Sequence, residues 1–358
     1  MPISAVDAIT PAFQHTKQQL LRPFRFGQWV HLALLGLATG ELSSGGGCHF
    51  NMPTVPQRNP SSSDQLLFAP HLPPSLSHLR LPELVLVAAL AVLLGLIVML
   101  LFLYLNSICR FILFESILQR ECRLREGWRR WRAAGRRFFV WQLLFQVVLM
   151  MGLIILVGLP LGFAYLSGWF AAPKEHLALL ILGGILLFFV VAAFVLLALL
   201  VHVLAKDFVV PLMALDDLDW SDAWERFLGM LKAEKGSYAG YIGLKVLLAI
   251  AASIILGVVG FFLIFIFVLP VVLAFLIPVL RGGPVAWNVY TITLAVVVVV
   301  ILAAFLLCVI SLISVPVVVF FPAYSIYFFA ARYTALSLRL YGPPPPLPPT
   351  AVTSPTPV

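Results

Sequence analysis

Few side chains in this sequence have types and spacing that could do chemistry. The densest acidic group, Asp216, Asp217, Asp219 and Asp222, has the oxygens to hold a divalent cation. It lacks the glycine and closing glutamate of a calcium loop, and the capped, solvated entrance of a helix explains it. His31 and His202 lie toward the ends of apolar stretches, the second beside Lys206 and Asp207, and are read as interfacial rather than ligating. No His-Glu-x-x-His, Gly-x-Ser-x-Gly or inward pair of aspartates occurs. Cys48, Cys109, Cys122 and Cys308 match no zinc or redox spacing. Only Cys48 falls on the oxidising side of the topology derived below, so no internal disulfide is expected. No enzyme, cofactor or metal site is expected.

What remains is a fan of arginines: Arg129, Arg130, Arg132, Arg136 and Arg137. Nine bases surround Glu115, Glu121 and Glu126 in this part of the chain, more than membrane orientation requires. These five are expected to contact anionic lipid headgroups, each adding about 1 kcal/mol.

The elements that carry these residues are apolar. Of 358 residues, 62% are hydrophobic and only 11% charged, against roughly 25% in soluble domains. Mean hydropathy is +1.05. A water-soluble enzyme, a disulfide scaffold and a disordered chain are excluded, and a polytopic helical membrane protein remains. The net charge of +8 then reads as membrane topology and headgroup contact, not nucleic-acid binding.

Spans are expected at 84–105, 140–166, 177–204, 246–268 and 289–319, with a short sixth at 28–40. The short one could be a marginal span, a re-entrant segment or a signal-peptide core, and an uncleaved span is preferred. Pro270 and Pro278 are expected to end their span and turn residues 269–280 along the outer interface. Pro316 and Pro322 lead into Tyr324, Tyr327, Phe328 and Phe329, read as an aromatic belt leaving the bilayer. Gly36–Gly40 and Gly158–Gly162 have the small-xxx-small spacing of closely packed helices.

Lys and Arg segregate between these spans. One side holds Lys17, Arg22 and Arg25, nine arginines between Arg110 and Arg137, then Lys206, Arg226, Lys232, Lys235 and Lys245, and finally Arg332 and Arg339, nineteen in all. The other holds Arg58, Arg80, Lys174 and Arg281. Six spans with both termini in the cytoplasm satisfy that split.

The basic segments also resemble one another. Asp222-Ala223-Trp224-Glu225-Arg226-Phe227 aligns with Glu126-Gly127-Trp128-Arg129-Arg130-Trp131 and, loosely, with Asp7-Ala8-Ile9, each with a base ten residues after the acid. Trp220, Ala223, Trp224, Phe227, Leu228 and Leu231 form one helical stripe, with Asp219 as cap and Asp222 at the third position. Trp128, Trp131, Trp220, Trp224 and Phe227 are expected to anchor such helices in the headgroup plane, aromatic side down. In the first copy, either Ser4 and Asp7 cap a kinked helix, or Thr10 caps one with Pro11 at its first position.

The Phe208–Pro211 exit, the acidic turn and the Asp-Ala-Trp-Glu-Arg-Phe helix resemble prokaryotic multi-pass proteins related to the membrane domain of glycerophosphoryl diester phosphodiesterases. The resemblance, one of hydropathy and spacing over residues 4–341, implies an accessory membrane module without the hydrolytic domain and carries no catalytic positions.

The expected fold class is an all-α polytopic membrane protein of six transmembrane helices. They form three hairpin repeats (about 4–108, 123–204 and 219–321), each preceded by an interfacial amphipathic helix. Residues 1–341 make one domain with an irregular outer loop at 41–81, and 342–358 are a disordered proline-rich tail. The expected role is non-catalytic: an inner-membrane scaffold or lipid-interacting module with anionic lipid and an envelope protein as partners, and no nucleic acid. The alternative is a transporter or lipid translocator with a cavity between repeats.

Overall fold

The computed structural model describes residues 4–22, 24–41, 81–170, 174, 176–280 and 289–342, and these are helical with no strand among them. The expected loop, apart from Glu41 and Leu81, and the tail beyond Gly342 lie outside the described residues, as does Cys48. The helices are α1 (Ile9–Leu21), α2 (Phe26–Thr39), α3 (Leu81–Gln119), α4 (Leu124–Leu166), α5 (Leu177–Leu204), a π turn (Ala205–Val209), α6 (Val210–Asp216), α7 (Trp220–Ala233), α8 (Lys235–Leu280), α9 (Val289–Ile313), α10 (Val315–Ala330) and α11 (Thr334–Tyr341).

Five helical stretches, at 85–119, 124–166, 177–216, 235–274 and 293–330, are long and apolar enough to cross a membrane. Helix α3, with 39 residues, is about 58 Å long, nearly twice a ~30 Å hydrocarbon layer. Each long helix therefore divides into two parts with different surroundings.

One part is an arm. Along α3, Val92, Leu93, Leu94, Leu96, Ile97 and Val98 are all more than half exposed, so every face of the helix is bare. Leu182–Phe189 on α5, Phe261–Ile266 on α8 and Val296–Ile301 on α9 are likewise mostly exposed, with Leu187, Leu263 and Val298 partly covered. An alkane solvent supplies no hydrophobic force to pull such arms together, so they need not pack. Contacts between arms are local: a Cβ on Gly152 of α4 would meet the Phe194 ring of α5 at 2.6 Å. Gly158 and Gly162 face open space, so their small-xxx-small spacing seats no helix among the described residues.

The other part is a hub in which the basic ends of the long helices meet α1, α2, α6, α7, α10 and α11. The hairpin of α3 and α4 is its largest wall, and Gly135 lets the two backbones approach: a Cβ there would lie 3.1 Å from the Ile108 Cα. At the centre, Phe208 is fully buried and packs on Phe227, Tyr238, Tyr241, Phe328 and Phe329 with ring centroids 5.2–6.1 Å apart.

Several sequence expectations change here. Helix α2 has 14 residues, about 21 Å, too short to cross alone, and it packs along α3 and α10 within the hub. Helix α8 runs through Pro270 and Pro278 to Leu280 rather than turning at the interface. A helical proline removes one backbone bond, which a lipid-embedded helix can absorb by local adjustment. The Tyr324–Phe329 segment is not a belt facing lipid. Helix α10 restarts at Val315, after Ser314, with Pro316 in its first turn, and its Tyr324, Phe328 and Phe329 are fully buried in the hub.

The expected second surface helix is not a separate element. Residues 124–138 are the first turns of the continuous α4. Their aromatic stripe faces α3, where Trp131 stacks on Phe111 at 5.7 Å and Phe138 meets Phe111 edge-on at 6.0 Å. In the first copy, Ser4 and Asp7 exchange reciprocal capping bonds, with Asp7 N–H to Ser4 Oγ at 3.2 Å and Ser4 N–H to Asp7 Oδ2 at 3.3 Å, and α1 follows with Pro11 in its first turn.

Candidate functional site

Proline placement explains a local distortion at the centre of the hub. Pro211 has no N–H for the carbonyl four residues back, and the chain widens into the π turn at 205–209. That turn aims Lys206 and Asp207 into protein. Lys206 pairs with Glu41, just past the end of α2, at 2.5 Å, and Asp207 pairs with Lys245 of α8. Tyr241, one turn before Lys245, donates to the same Asp207 oxygen at 3.0 Å. Arg110 of α3 donates from Nε to Asn106 at 2.8 Å, and its Nη2 lies 3.1 Å from the His202 Nε2. All five charged groups are buried or nearly so.

Lys206 and Arg110 line the same cavity as the Glu41 carboxylate, so its buried negative charge is compensated. Three cations face two carboxylates, so charge is nearly balanced within the cluster. The cavity here, between Pro211 and Pro322, is only about 30 Å³, room for a water or two. The cluster is a packed joint that ties α2, α3, α5 and α8 together, not a passage for solute.

The arginine fan divides in two. Arg130 pairs with Glu115 at 2.6 Å, and Glu115 also accepts from the Trp131 indole. Arg137 reaches across to Asp217 and to Asp219, the latter at 3.1 Å. Arg129, Arg132 and Arg136 lie exposed on the outer face of α4.

The expected interfacial anchors face protein. Phe227 is fully buried, stacked on Phe208 at 5.2 Å, and Trp224 is tilted against Trp141 at 6.0 Å. Trp128 meets Tyr104 edge-on at 6.4 Å, while Trp220 is half-buried at the start of α7.

The acidic run is taken up by hub contacts. Asp216 binds Arg226 at 2.5 Å and accepts from the Tyr333 hydroxyl, and Asp217 and Asp219 hold Arg137. Asp219 therefore spends its carboxylate on Arg137 and makes no side-chain cap of α7, contrary to the expected capping box. Among the described residues no three His, Cys, Asp or Glu converge on one point.

On α1, His15 is buried between α10 and α3. Its Nε2 is 3.0 Å from the Ile117 carbonyl, which can only accept, so Nδ1 is the acceptor for the Tyr327 hydroxyl at 3.2 Å. Burial and the nearby Arg120 charge push His15 below its ordinary 6.5.

By sequence, Arg110, Lys206 and Lys245 belong to the basic linkers between spans, and Glu41 opens the loop on the opposite side. A sequence signal for them is the proline near the basic end of two spans, Pro211 and Pro322, which line the same cavity.

The model of a family of unknown function (DUF7544) matches residues 3–339. That match draws no connection with phosphodiesterase membrane domains. No curated protein and no solved structure matches the chain.

Proposed function

We propose that this chain, which belongs to the DUF7544 family, is a non-catalytic integral membrane module of the cell envelope that engages lipid. The observation that carries the reading is the division of the long helices into bare apolar arms and one buried hub. The exposed stretches of α3, α5, α8 and α9 offer lipid apolar surface on most of their faces. Exposed Arg129, Arg132 and Arg136 at their base would attract anionic headgroups. An envelope protein seated between the arms would use the same surface.

The topology proposed with it is six crossings as three hairpins in the inner membrane, both termini cytoplasmic. Two features support this. The Tyr324 hydroxyl of α10 donates to the Ala5 carbonyl at 3.2 Å, so the two ends of the chain share the hub. The hub also carries the nineteen-residue basic side of the Lys and Arg split. Termini on one side need an even number of crossings, and five helices qualify. In this reading the first hairpin carries the sixth crossing, and α2, at 14 residues, is too short to make it alone.

A second reading, a lipid translocator, is favoured by the buried Glu41, Arg110, Lys206, Asp207 and Lys245, because ionisable groups inside membrane proteins are costly and often functional. The 30 Å³ cavity beside them leaves no path in this conformation, so the first reading is preferred.

The test is extraction of the full chain with its surrounding lipid, followed by lipid mass spectrometry. Anionic lipid should be enriched over the bulk membrane and fall back toward the bulk share in Arg129→Gln/Arg132→Gln/Arg136→Gln. A lipid profile identical to bulk would sink the reading.

A further inference from the structure

We propose that α2, together with the hub end of α3, binds one anionic phospholipid in a defined groove, an inference that rests on the lipid-engaging reading above. Two concavities with no lining residue in common lie against the two ends of α2. Beside its first turn is a polar one of about 460 Å³, where Arg22, Arg25 and Arg120 face the single carboxylate of Glu121. Beside its last two turns is one of about 360 Å³ lined only by apolar side chains, among them Leu34, Leu37, Phe102, Leu124 and Trp128.

The direction of the groove is set by α2 running antiparallel to α3. Gln28 donates to the Arg120 carbonyl at 2.9 Å, and Arg25 lies 3.9 Å from Glu121, which fixes the polar end near the α3–α4 turn. The apolar end reaches Phe102, where α3 becomes a bare arm. Arg25 precedes Leu34–Ala38 by 9 to 13 helical positions, about 14–20 Å along the axis. That distance is close to the ~15 Å depth of one leaflet's hydrocarbon. An acyl chain entering from the arms would lie in the apolar part and carry its phosphate to the arginines.

Charge and shape agree on the ligand class. Guanidinium groups match phosphate oxygens in a bidentate fork, and three against one carboxylate leave net positive charge for an anion. Arg120 holds a left-handed backbone at φ 59°, a conformation that costs a non-glycine residue energy and directs the turn beside the groove. Phe24 and Phe26, both exposed on either side of Arg25, give this edge the aromatic contacts of a membrane surface.

The test places a photoreactive benzoylphenylalanine at Leu37 of the full chain, reconstituted in vesicles of phosphatidylglycerol and phosphatidylcholine. Cross-linked lipid should be phosphatidylglycerol beyond its share of the vesicle. Arg22→Gln/Arg25→Gln should cut that preference about tenfold while cross-linking to phosphatidylcholine persists. Ala38→Trp, which fills the apolar part and leaves the arginines, should abolish cross-linking from a probe moved to Leu34; this variant keeps the test decisive if the arginine pair impairs folding.

Equal labelling of both lipids, or no effect of either variant, overturns the groove. Competition by millimolar inorganic phosphate would assign the arginines to a soluble anion and overturn the lipid assignment. Lipid enrichment that depends on Arg129, Arg132 and Arg136 but not on these variants would leave the general reading standing and remove only this site.

Discussion

Glu41 and Lys206, 165 residues apart, form an ion pair at 2.5 Å inside the hub, and that contact holds the end of α2 at the π turn. Both side chains are largely removed from solvent, so neither charge can be left alone cheaply. Helix α2 ends at Gly40, which takes a left-handed conformation at φ 71°, and the next residue, Glu41, reaches the basic ends of the long helices.

Breaking the pair on one side should therefore cost more than removing it whole. Glu41→Gln strands the buried Lys206 ammonium and should destabilise the hub by about 3–5 kcal/mol, whereas Glu41→Gln/Lys206→Met should recover most of the loss. Chemical denaturation in detergent, run as a double-mutant cycle, measures the coupling; additive effects would mean the two charges are independently solvated.

His15 gives the hub a pH dependence with a definite sign. Its folded pKa is depressed below 6.5, so the unfolded chain binds the proton more readily. Stability that is full above 6.5 should fall as pH drops below that value. His15→Gln should flatten the thermal-stability profile between pH 7 and 5, and an unchanged slope would show that other groups carry it.

Glycine positions separate hub from arms. Gly135→Ala should destabilise by about 1–3 kcal/mol, because the added carbon meets the α3 backbone at 3.1 Å. Gly158→Ala has nothing within 4 Å and should be neutral or stabilising by up to about 1 kcal/mol of helix propensity. Thermal unfolding of the two variants in one detergent compares them directly, and equal losses would contradict open space around Gly158.

Cys122 should resist thiol reagents. Burial, reinforced by Cys109 nearby, pushes its thiol up to about 12, so little thiolate exists at pH 8. With the other cysteines replaced by serine, maleimide should label Cys122 far more slowly in the folded chain than after denaturation, as followed by mass shift.

Topology has its own readout. In intact cells an impermeant maleimide should label S62C but not R130C in a cysteine-free background, and permeabilised cells should expose R130C as well. The opposite pattern would reverse the proposed orientation.

Much of this was legible in the residues. Long uncharged runs such as 177–204 can only be helices in lipid, since every backbone polar group must be paired within the segment. Helical spacing also identified the stripe Ala223, Trp224, Phe227 as one face, and α7 forms there. Periodicity, however, states which side chains share a face and not what the face meets. The same 3.6-residue repeat serves a helix lying on lipid and one docked on protein. Only the packing of Phe227 on Phe208, and of Trp131 on Phe111, decides for protein.

Charge behaves the same way. The sum of Lys and Arg on one side of the spans follows from counting, because membrane orientation responds to number and location rather than to partners. Which arginines are free depends on contacts between distant segments: Arg137 is taken up by Asp217 and Asp219, some eighty residues away, while Arg129 stays exposed on the same helix. Glu41 meets Lys206 across 165 positions of sequence. Local pattern thus determined the class of helix and the basic end. Tertiary structure alone decided that α2 stays in the hub, because pairing across such separations has no local signature.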